Sequence, residues 1–402
     1  MPAQPTQQKT ALSVGCTAHV VQDGLSATVF VLLPILAQTF GLSYAQVGLY
    51  KGLKSLAQAF LEMSSGVLTE RIGESRTLTF GLALSALGYS LLAFAPGAAL
   101  VMACLLIIGA GTAFQHAPAS ALIIAAHPVD RRRGPLGLYN SSGDVGKLLF
   151  SGAFGLAIGA GLAWQTTSLA FGIVALASAV AIFLATRTLN RPPTMAETTD
   201  ATDYSGPAQR GWGILNWPSY STLLAVVFLD TMIQTAAMVF IAFLMLAKGL
   251  PLVVATAATV ILLAGGVFGK ASCGYLADRI GVQRAFTVIQ ILTAIGLVAV
   301  VWAPSWLALL LLLPIGAVTQ GSTSITYGFA ADLIHPKRMA RGYALLYSMA
   351  SLASAAGPLA FGVLADLYRI ETSMFAMAVV ALASAPLVAF LPSARKATPH
   401  TA

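Results

Sequence analysis

Long apolar segments dominate the chain, and short clusters of Gly, Pro and charged residues separate them. Each segment is about 20 residues or longer, which is enough for a helix to cross the ~30 Å hydrocarbon core of a membrane. We number them spans 1 to 12 and place them at 12–38, 44–69, 77–95, 98–126, 134–160, 163–187, 217–247, 251–277, 285–303, 305–331, 341–366 and 370–392. The pattern predicts an all-α membrane protein. Membrane β-barrels instead have alternating segments of about 10 residues, which this sequence lacks.

Composition favours the same class. Hydrophobic residues make up 57% of the 402 positions and charged residues only 9%, whereas soluble domains average roughly 25% charged residues. The three cysteines lie at unrelated spacings within apolar segments. We therefore expect neither disulfides nor a cysteine metal cluster.

One long polar stretch, 188–216, interrupts the apolar pattern after span 6. It predicts a cytoplasmic linker between two units. These are an N-terminal six-helix bundle at 1–187 and a C-terminal six-helix bundle with a short cytoplasmic tail at 217–402.

The net charge of +8 comes mainly from lysines and arginines in alternate loops and near both ends of the chain. This asymmetry follows the positive-inside rule and predicts that both termini are cytoplasmic. It also explains the basic character without a nucleic-acid partner. The polar residues 1–10 lead directly into span 1, so no cleaved signal peptide is expected. We expect a multi-pass protein of a bacterial-type inner membrane.

An internal repeat is the sharpest organisational signal. The segment from Gly66 to Gly73 recurs from Gly274 to Gly281, 208 positions later, and other residues repeat at the same offset. Asp23 is matched to Asp230 at an offset of 207. Because six spans return the chain to the same side, the pattern predicts parallel repeats with a site between them near the membrane midplane.

The repeated segment resembles the loop signature Gly-x-Leu-Ala-Asp-Arg-x-Gly-x-x-Arg/Lys of the major facilitator superfamily, with Glu70 replacing Asp in the first copy. The resemblance covers nearly the whole chain. It implies two pseudo-symmetric six-helix bundles, transport by alternating access, and a monomer. It also implies a gating role for Gly66, Glu70, Arg71, Gly73, Arg76, Gly274, Asp278, Arg279, Gly281 and Arg284. Alternatively, the arginines only keep these loops cytoplasmic.

A narrower set of residues resembles the fosmidomycin-resistance-like exporters. It comprises the His19-x-x-x-Asp23 pattern of span 1, the segment 42–48, and the segment 114–118 of span 4. The antiporter Gly-Pro pair is absent from span 5, where Leu149-Phe150 lie opposite Gly357-Pro358 of the second repeat. Uptake by symport therefore remains an alternative to export.

Ionisable residues inside spans are costly and mark candidate sites. His19 and Asp23 lie one helical turn apart on span 1, and we expect His116 and Asp144 at a similar depth. A buried His–Asp set can exchange protons near neutral pH. We predict proton coupling by Asp23, His19, His116 and Asp144, the alternative being that they only satisfy one another.

Span 2 carries Lys51, Lys54, Gln58 and Glu62 at helical spacing, so these side chains face one way. The lysines, with Lys147 of span 5, indicate an anionic solute. Lys51 lies roughly 10 Å from the predicted outer end, so its ammonium could instead reach the lipid headgroups.

In the second repeat, Asp230, Gln234 and Gln320 are candidate substrate-binding residues with fewer charges around them. Glu62 and Lys270 occupy equivalent repeat positions with opposite charges. We predict an interdomain salt bridge at this level, with Lys270 pairing with Asp144 when the cytoplasmic side closes.

These patterns favour a secondary transporter that couples proton entry to export of a small anionic or amphiphilic solute or drug. The alternative is a proton-coupled symporter that takes up a small organic anion. The sequence lacks the zinc-hydrolase, nucleophile-elbow and phosphate-loop motifs, so we expect neither an enzyme nor an ATP-driven pump. The expected partners are the solute, protons and the lipid bilayer, and we expect neither a cofactor nor a metal.

Overall fold

The structure, a computed structural model, describes residues 5–128, 133–187, 211–335 and 338–391. Most of the predicted linker (188–210) and nearly all of the C-terminal tail lie outside the described residues, as do the arginines at 131 and 132.

The described chain is helical along nearly its whole length. The helices of the first repeat are α1 (Pro5–Phe40), α2 (Tyr44–Ile72), α3 (Glu74–Leu92), α4 (Ala98–Ala113), α5 (His116–Ala126), α6 (Arg133–Gly159) and α7 (Trp164–Thr186). Those of the second are α8 (Trp217–Ala247), α9 (Leu252–Ile280), α10 (Val282–Trp302), α11 (Ser305–Asp332), α12 (Met339–Leu367) and α13 (Ile370–Ser384).

Within the described residues, nine helical segments are long and apolar enough to cross a membrane. One of them, Ala98–Ala126, combines α4 and α5. The more polar helices α2, α3 and α6 complete the predicted twelve, so the all-α class with twelve spans is confirmed. Large apolar side chains face outward, including Leu156 at 77% exposure and Trp302 at 78%, as expected when lipid is the surrounding solvent.

Span 4 is not the single continuous helix that the sequence predicted. It breaks between Ala113 and His116, where Phe114 leaves helical geometry and Gln115 belongs to neither helix. Pro118 explains the break, because its ring clashes with the carbonyl of the residue four positions earlier, Phe114, and it has no N–H to donate.

Span 12 also differs from the prediction. Its α-helix ends at Ser384, and a 3₁₀ segment, Ala385–Phe390, completes it. Pro386 lies in the first turn of that segment and removes a donor from the α-helical pattern. The largest shift at a span boundary is at α1, which begins at Pro5 rather than at residue 12.

Glycines in the loops repeat the 208-residue register. Gly41 and Gly249 both have positive φ, and so do Gly73 and Gly281. Residues other than glycine rarely adopt a positive φ, so each pair of glycines marks the same tight turn in the two repeats. We call the end of the bundle at Gly73 and Gly281 the motif end, and the end at Gly41 and Gly249 the opposite end.

The two repeats meet closely at the opposite end, along α2 and α12. A Cβ on Gly48 would overlap the backbone of Pro358, and one on Gly52 would lie 3.0 Å from the carbonyl oxygen of Ala355. Small residues let helix backbones approach closely in membranes. The halves are therefore closed against each other at the opposite end.

Candidate functional site

His19 and Asp23 of α1 form a buried pair, 5% and 6% exposed. The Nε2 atom of His19 lies 3.2 Å from Oδ2 of Asp23, and its Nδ1 lies 2.7 Å from the carbonyl oxygen of Tyr139. A carbonyl only accepts hydrogen bonds, so Nδ1 bears a hydrogen. A second proton must then lie between Nε2 and the carboxylate oxygen. The geometry of the pair is suited to sharing one proton between the imidazole and the carboxylate.

Lys147 of α6 joins this pair to a second carboxylate. Its Nζ lies 3.1 Å from Oδ2 of Asp23 and 3.1 Å from Oδ1 of Asp144. Oδ2 of Asp23 therefore lies within reach of both the His19 ring and the Lys147 ammonium. Lys147 is thus held between two carboxylates and has no excess positive charge with which to attract an anion.

The same chain of charges crosses to the second repeat. Lys270 of α9 lies 2.5 Å from Oδ1 of Asp144. We call the row His19, Asp23, Lys147, Asp144 and Lys270 the ion chain. Its charges alternate in sign, and it connects α1 to α9 through α6.

Two tyrosines at equivalent repeat positions stack on the two histidines of the site. Tyr139 stacks on His19 with ring centroids 4.2 Å apart, and Tyr347 of α12 stacks on His116 with centroids 5.9 Å apart. His116 begins α5, at the break in span 4, and its Nε2 lies 4.0 Å from Oδ1 of Asp23. The break thus presents His116 to Asp23 on one side and to the second repeat on the other.

The lysines of α2 lie in the interior of the bundle. Lys54 is 2% exposed, and its Nζ lies 2.5 Å from Oγ of Ser26. Lys51 is 4% exposed, bonds Oγ of Ser55 at 2.6 Å, and lies over the Phe30 ring. Ser55 is one turn further from the opposite end, so Lys51 does not reach toward the headgroups there.

Glu62 of α2 also contacts the second repeat. Ser351 of α12 donates a hydrogen bond of 3.2 Å to its carboxylate. Within the described residues, no Lys or Arg nitrogen lies within salt-bridge distance of Glu62, so the equivalent positions Glu62 and Lys270 make unequal contacts across the halves. Gln58 lies one turn away from Glu62, half-buried.

Asp230 of α8 is bound within its own repeat. Gln290 of α10 and Ser322 of α11 donate hydrogen bonds of 2.6 and 2.7 Å to its two oxygens. Gln22 makes the matching contacts in the first repeat, bonding Ser85 of α3 and Thr112 of α4. The matching of Asp23 to Asp230 was therefore wrong: the 208 register pairs Gln22 with Asp230.

The other predicted residues of the second repeat divide between two places. Gln234 of α8 donates a hydrogen bond of 2.8 Å to the Thr319 carbonyl of α11. Gln320 lines a cavity of about 20 Å³ with Asp144, Lys147 and Lys270, which is room for about one water molecule. This cavity itself has no room for a larger solute.

His19, Asp23 and His116 offer three ligand atoms within 4.8 Å of one another. Two imidazoles and a carboxylate are ligands that transition metals accept. However, the Lys147 ammonium is bound to the same carboxylate, and a metal ion would have to displace both it and the shared proton. The arrangement of charges therefore suits a proton better than a metal ion.

The charged residues of the two loop motifs whose side chains are described are exposed at the motif end. Gly73 and Gly281 supply the positive φ between α2 and α3 and between α9 and α10. The side chain of Glu70 lies outside the described part of the chain. The gating role of the motif stays a prediction.

Sequence reasoning missed three residues that connect the halves. Asp366 of α12 accepts hydrogen bonds of 2.9 Å from the backbone N–H groups of Tyr44 and Ala45 at the start of α2. Tyr347 and Ser351 lie one turn apart on α12 and contact His116 and Glu62. The repeat match of Tyr139 with Tyr347 was a usable signal, because both tyrosines stack on site histidines.

The fold and the buried charges between two repeats define a membrane transporter. The sequence model of the Major Facilitator Superfamily matches residues 16–268 and 223–402. The chain belongs to this superfamily.

Similar proteins agree with this assignment. The MFS-type transporter YfnC of Bacillus subtilis is 26% identical over 157 residues, covering 37% of this chain and 38% of YfnC. The class G tetracycline resistance protein of Vibrio anguillarum is 34% identical over 131 residues, covering 31% of each chain. The chain thus matches only about a third of the length of these relatives.

A solved structure shows the same fold over nearly the whole chain. It is a bacterial homolog of the human lysosomal transporter Spinster in an inward-facing, occupied conformation. The TM-score is 0.76 at 16% sequence identity, with 97% of each chain covered.

Proposed function

We propose that the protein is a proton-coupled antiporter that exports a small amphiphilic solute or drug by alternating access. The observation that carries the proposal is the His19–Asp23 pair, whose geometry suits a shared proton and which is linked through Lys147 and Asp144 to Lys270 of the second repeat. A proton site joined to both halves is what coupling of proton entry to rocking requires. In this proposal the motif end faces the cytoplasm of a bacterial-type cell.

The direction of transport rests on two likenesses. One relative is named a tetracycline resistance protein, and the His19, Asp23 and His116 pattern resembles the fosmidomycin-resistance-like exporters. An anionic solute is less favoured at Lys147, which is bound to Asp23 and Asp144, than at Lys51 and Lys54, which bond to serine hydroxyls.

Inside-out vesicles test the proposal directly. A panel of solutes that includes tetracycline and fosmidomycin is added with and without an imposed pH gradient, acid inside. Uptake of the radiolabelled solute, together with the internal pH reported by a trapped dye, gives both direction and coupling. An exporter accumulates its solute only with the gradient, and the solute dissipates the gradient.

The variant Asp23→Asn removes the proton-binding carboxylate while keeping its size. We expect gradient-driven accumulation to disappear while exchange of labelled for unlabelled solute continues. Accumulation equal to that of the unchanged chain would show that Asp23 does not carry the proton. A solute that enters without moving protons would favour a facilitator instead.

A further inference from the structure

The ion chain has one member that belongs to two pairs at once. The single ammonium of Lys147 is equidistant from the carboxylates of Asp23 and Asp144, at 3.1 Å each. Lys270 competes for the same Oδ1 atom of Asp144 that Lys147 contacts. A change in the charge at Asp23 must therefore alter the balance at Asp144.

The Asp144–Lys270 bridge is placed so that the rocking motion breaks it. Asp144 lies 11 residues into α6 from the motif end, about 17 Å at 1.5 Å per residue, and the whole helix has 27 residues. The bridge therefore lies on the motif side of the midpoint. Because the halves are closed at the opposite end, opening of the motif end separates α6 from α9 at this level.

We propose that Lys147 is the positioning residue that converts the protonation state of the His19–Asp23 pair into the strength of the Asp144–Lys270 bridge. The inference rests on the proposed function, since it assumes that the pair binds the coupled proton.

The direction follows from charge counting. Without its proton the pair has a net charge of −1, and Lys147 is drawn to Asp23, which leaves Asp144 to Lys270 and keeps the motif end closed. With its proton the pair is neutral, so Lys147 moves toward Asp144. Two ammonium groups then share one carboxylate, their repulsion weakens the bridge, and the motif end opens. Proton binding thus favours the state that releases protons at the motif end, as antiport requires.

Other charged or titratable groups also face Asp23, and all of them are retained in every variant of the test, so that a difference between variants does not arise from them. They are Lys54 and Glu62 from α2, His116 from α5, Tyr139 from α6, and Lys270 and Tyr347 from the second repeat. Of these, Lys270 is the group that forms an ion pair with Asp144, the second carboxylate that Lys147 contacts.

The test measures the separation of α6 and α9 at the motif end. Spin labels are attached at Leu138→Cys and Tyr275→Cys, both more than half exposed, in the full chain with its three native cysteines changed to alanine. Electron–electron distances are recorded in nanodiscs at about pH 5 and about pH 8, on either side of the usual histidine range. With the ion chain unchanged, the distance between the two spin labels should be longer at the lower pH.

Lys147→Gln should give the short distance at both pH values, because Lys270 then holds Asp144 alone. The charge-conserving control Lys147→Arg should keep the pH response. Asp144→Asn removes the shared carboxylate and should give the long distance at both values, which provides a second arm if Lys147→Gln folds poorly.

A pH response in Lys147→Gln equal to that of the unchanged chain would overturn the inference. Failure of the proposed function has a different signature: the response would then persist in Asp23→Asn, whichever residue stood at 147. A response lost in both Asp23→Asn and Lys147→Gln, but kept in Lys147→Arg, supports both proposals.

Discussion

Adjacent residues on α1 have different tasks because a helix turns by about 100° per residue. Gln22 points into its own repeat toward α3 and α4, whereas Asp23 points to the charged centre. On α8 the equivalent of Gln22 is Asp230, which is fully engaged by two neutral donors. In our proposal, the carboxylate of Asp23 is a proton site and that of Asp230 a packing element.

Substitutions at Asp230 should separate these two roles. Asp230→Asn keeps the shape and one acceptor, and the Ser322 hydroxyl can rotate to accept from the new amide, so we expect near-normal gradient-driven transport. Asp230→Leu leaves the Gln290 amide without this partner, while Ser322 keeps its hydrogen bond to the Thr319 carbonyl. Loss of the partner of a buried polar group costs about 1–3 kcal/mol. Thermal unfolding in detergent should show a lower midpoint for Asp230→Leu.

Asp23→Asn is the comparison variant: it should abolish gradient-driven transport, whereas Asp230→Asn should not. If Asp230→Asn abolishes solute binding while leaving the unfolding midpoint unchanged, Asp230 belongs to the substrate site, as the sequence first suggested.

The residue scale also shows how far sequence alone could reach. His19 and Asp23 could be paired because they are four residues apart on one helix, and spacing fixes such contacts. The double contact of Lys147 and the partner of Glu62 could not be predicted. They depend on how distant helices are placed, over 289 residues for Ser351 and Glu62. Counting lysines therefore suggested an anion site that includes Lys147, where the structure has ion pairs, whereas Lys51 and Lys54 bond to serine hydroxyls.

At the scale of elements, α2 and α12 form the closure at the opposite end. Close glycine contacts bring the helices together, and Asp366 then caps the N-terminus of α2 from the other repeat. A carboxylate at a helix N-terminus satisfies backbone N–H groups and interacts favourably with the helix dipole. This contact joins the halves only while the opposite end is closed.

Asp366→Ala should loosen that closure. Loss of a helix cap costs typically about 1 kcal/mol, which corresponds to roughly a fivefold shift in a two-state equilibrium. A cysteine at Val47, fully buried in the closed state, should then react several-fold faster with a membrane-impermeant maleimide.

Glu371→Gln is the matched control for Asp366→Ala. This carboxylate is close to Asp366 along the chain but pairs with Arg369 of its own repeat, so its loss should leave labelling at Val47 unchanged. Equal labelling in the Asp366→Ala variant and the unchanged chain would show that the cap does not contribute to closure.

The whole molecule combines a symmetric frame with an asymmetric charge pattern. Away from the helix ends, the described spans contain four lysines (Lys51, Lys54, Lys147 and Lys270) and four carboxylates (Asp23, Glu62, Asp144 and Asp230). The twelve spans and the 208 register could be predicted because lipid imposes length and hydropathy on every helix. The different contacts made by residues at equivalent positions could not be predicted, because the repeat gives each half the same helix arrangement without fixing which residues make contacts.

The register shows where a second bridge between the halves would lie. Lys270 is equivalent to Glu62, and Asp144 is equivalent to Leu352, which neighbours the serine that already reaches Glu62. Leu352→Lys would therefore place a cation beside Glu62, reproducing the Asp144–Lys270 bridge with its charges reversed. A pair worth about 1.4 kcal/mol would shift the rocking equilibrium tenfold toward the state closed at the motif end.

We expect Leu352→Lys to raise the unfolding midpoint and to slow transport several-fold, because the bridge must break in every cycle. Leu352→Gln is the control, since it adds polarity at the same position without charge and should change transport much less. Adding Glu62→Gln to Leu352→Lys removes the new partner and should restore the rate toward that of Glu62→Gln alone. If the double variant is as slow as Leu352→Lys, the effect arises from a lysine facing lipid, and the two interfaces do not share the geometry that the repeat implies.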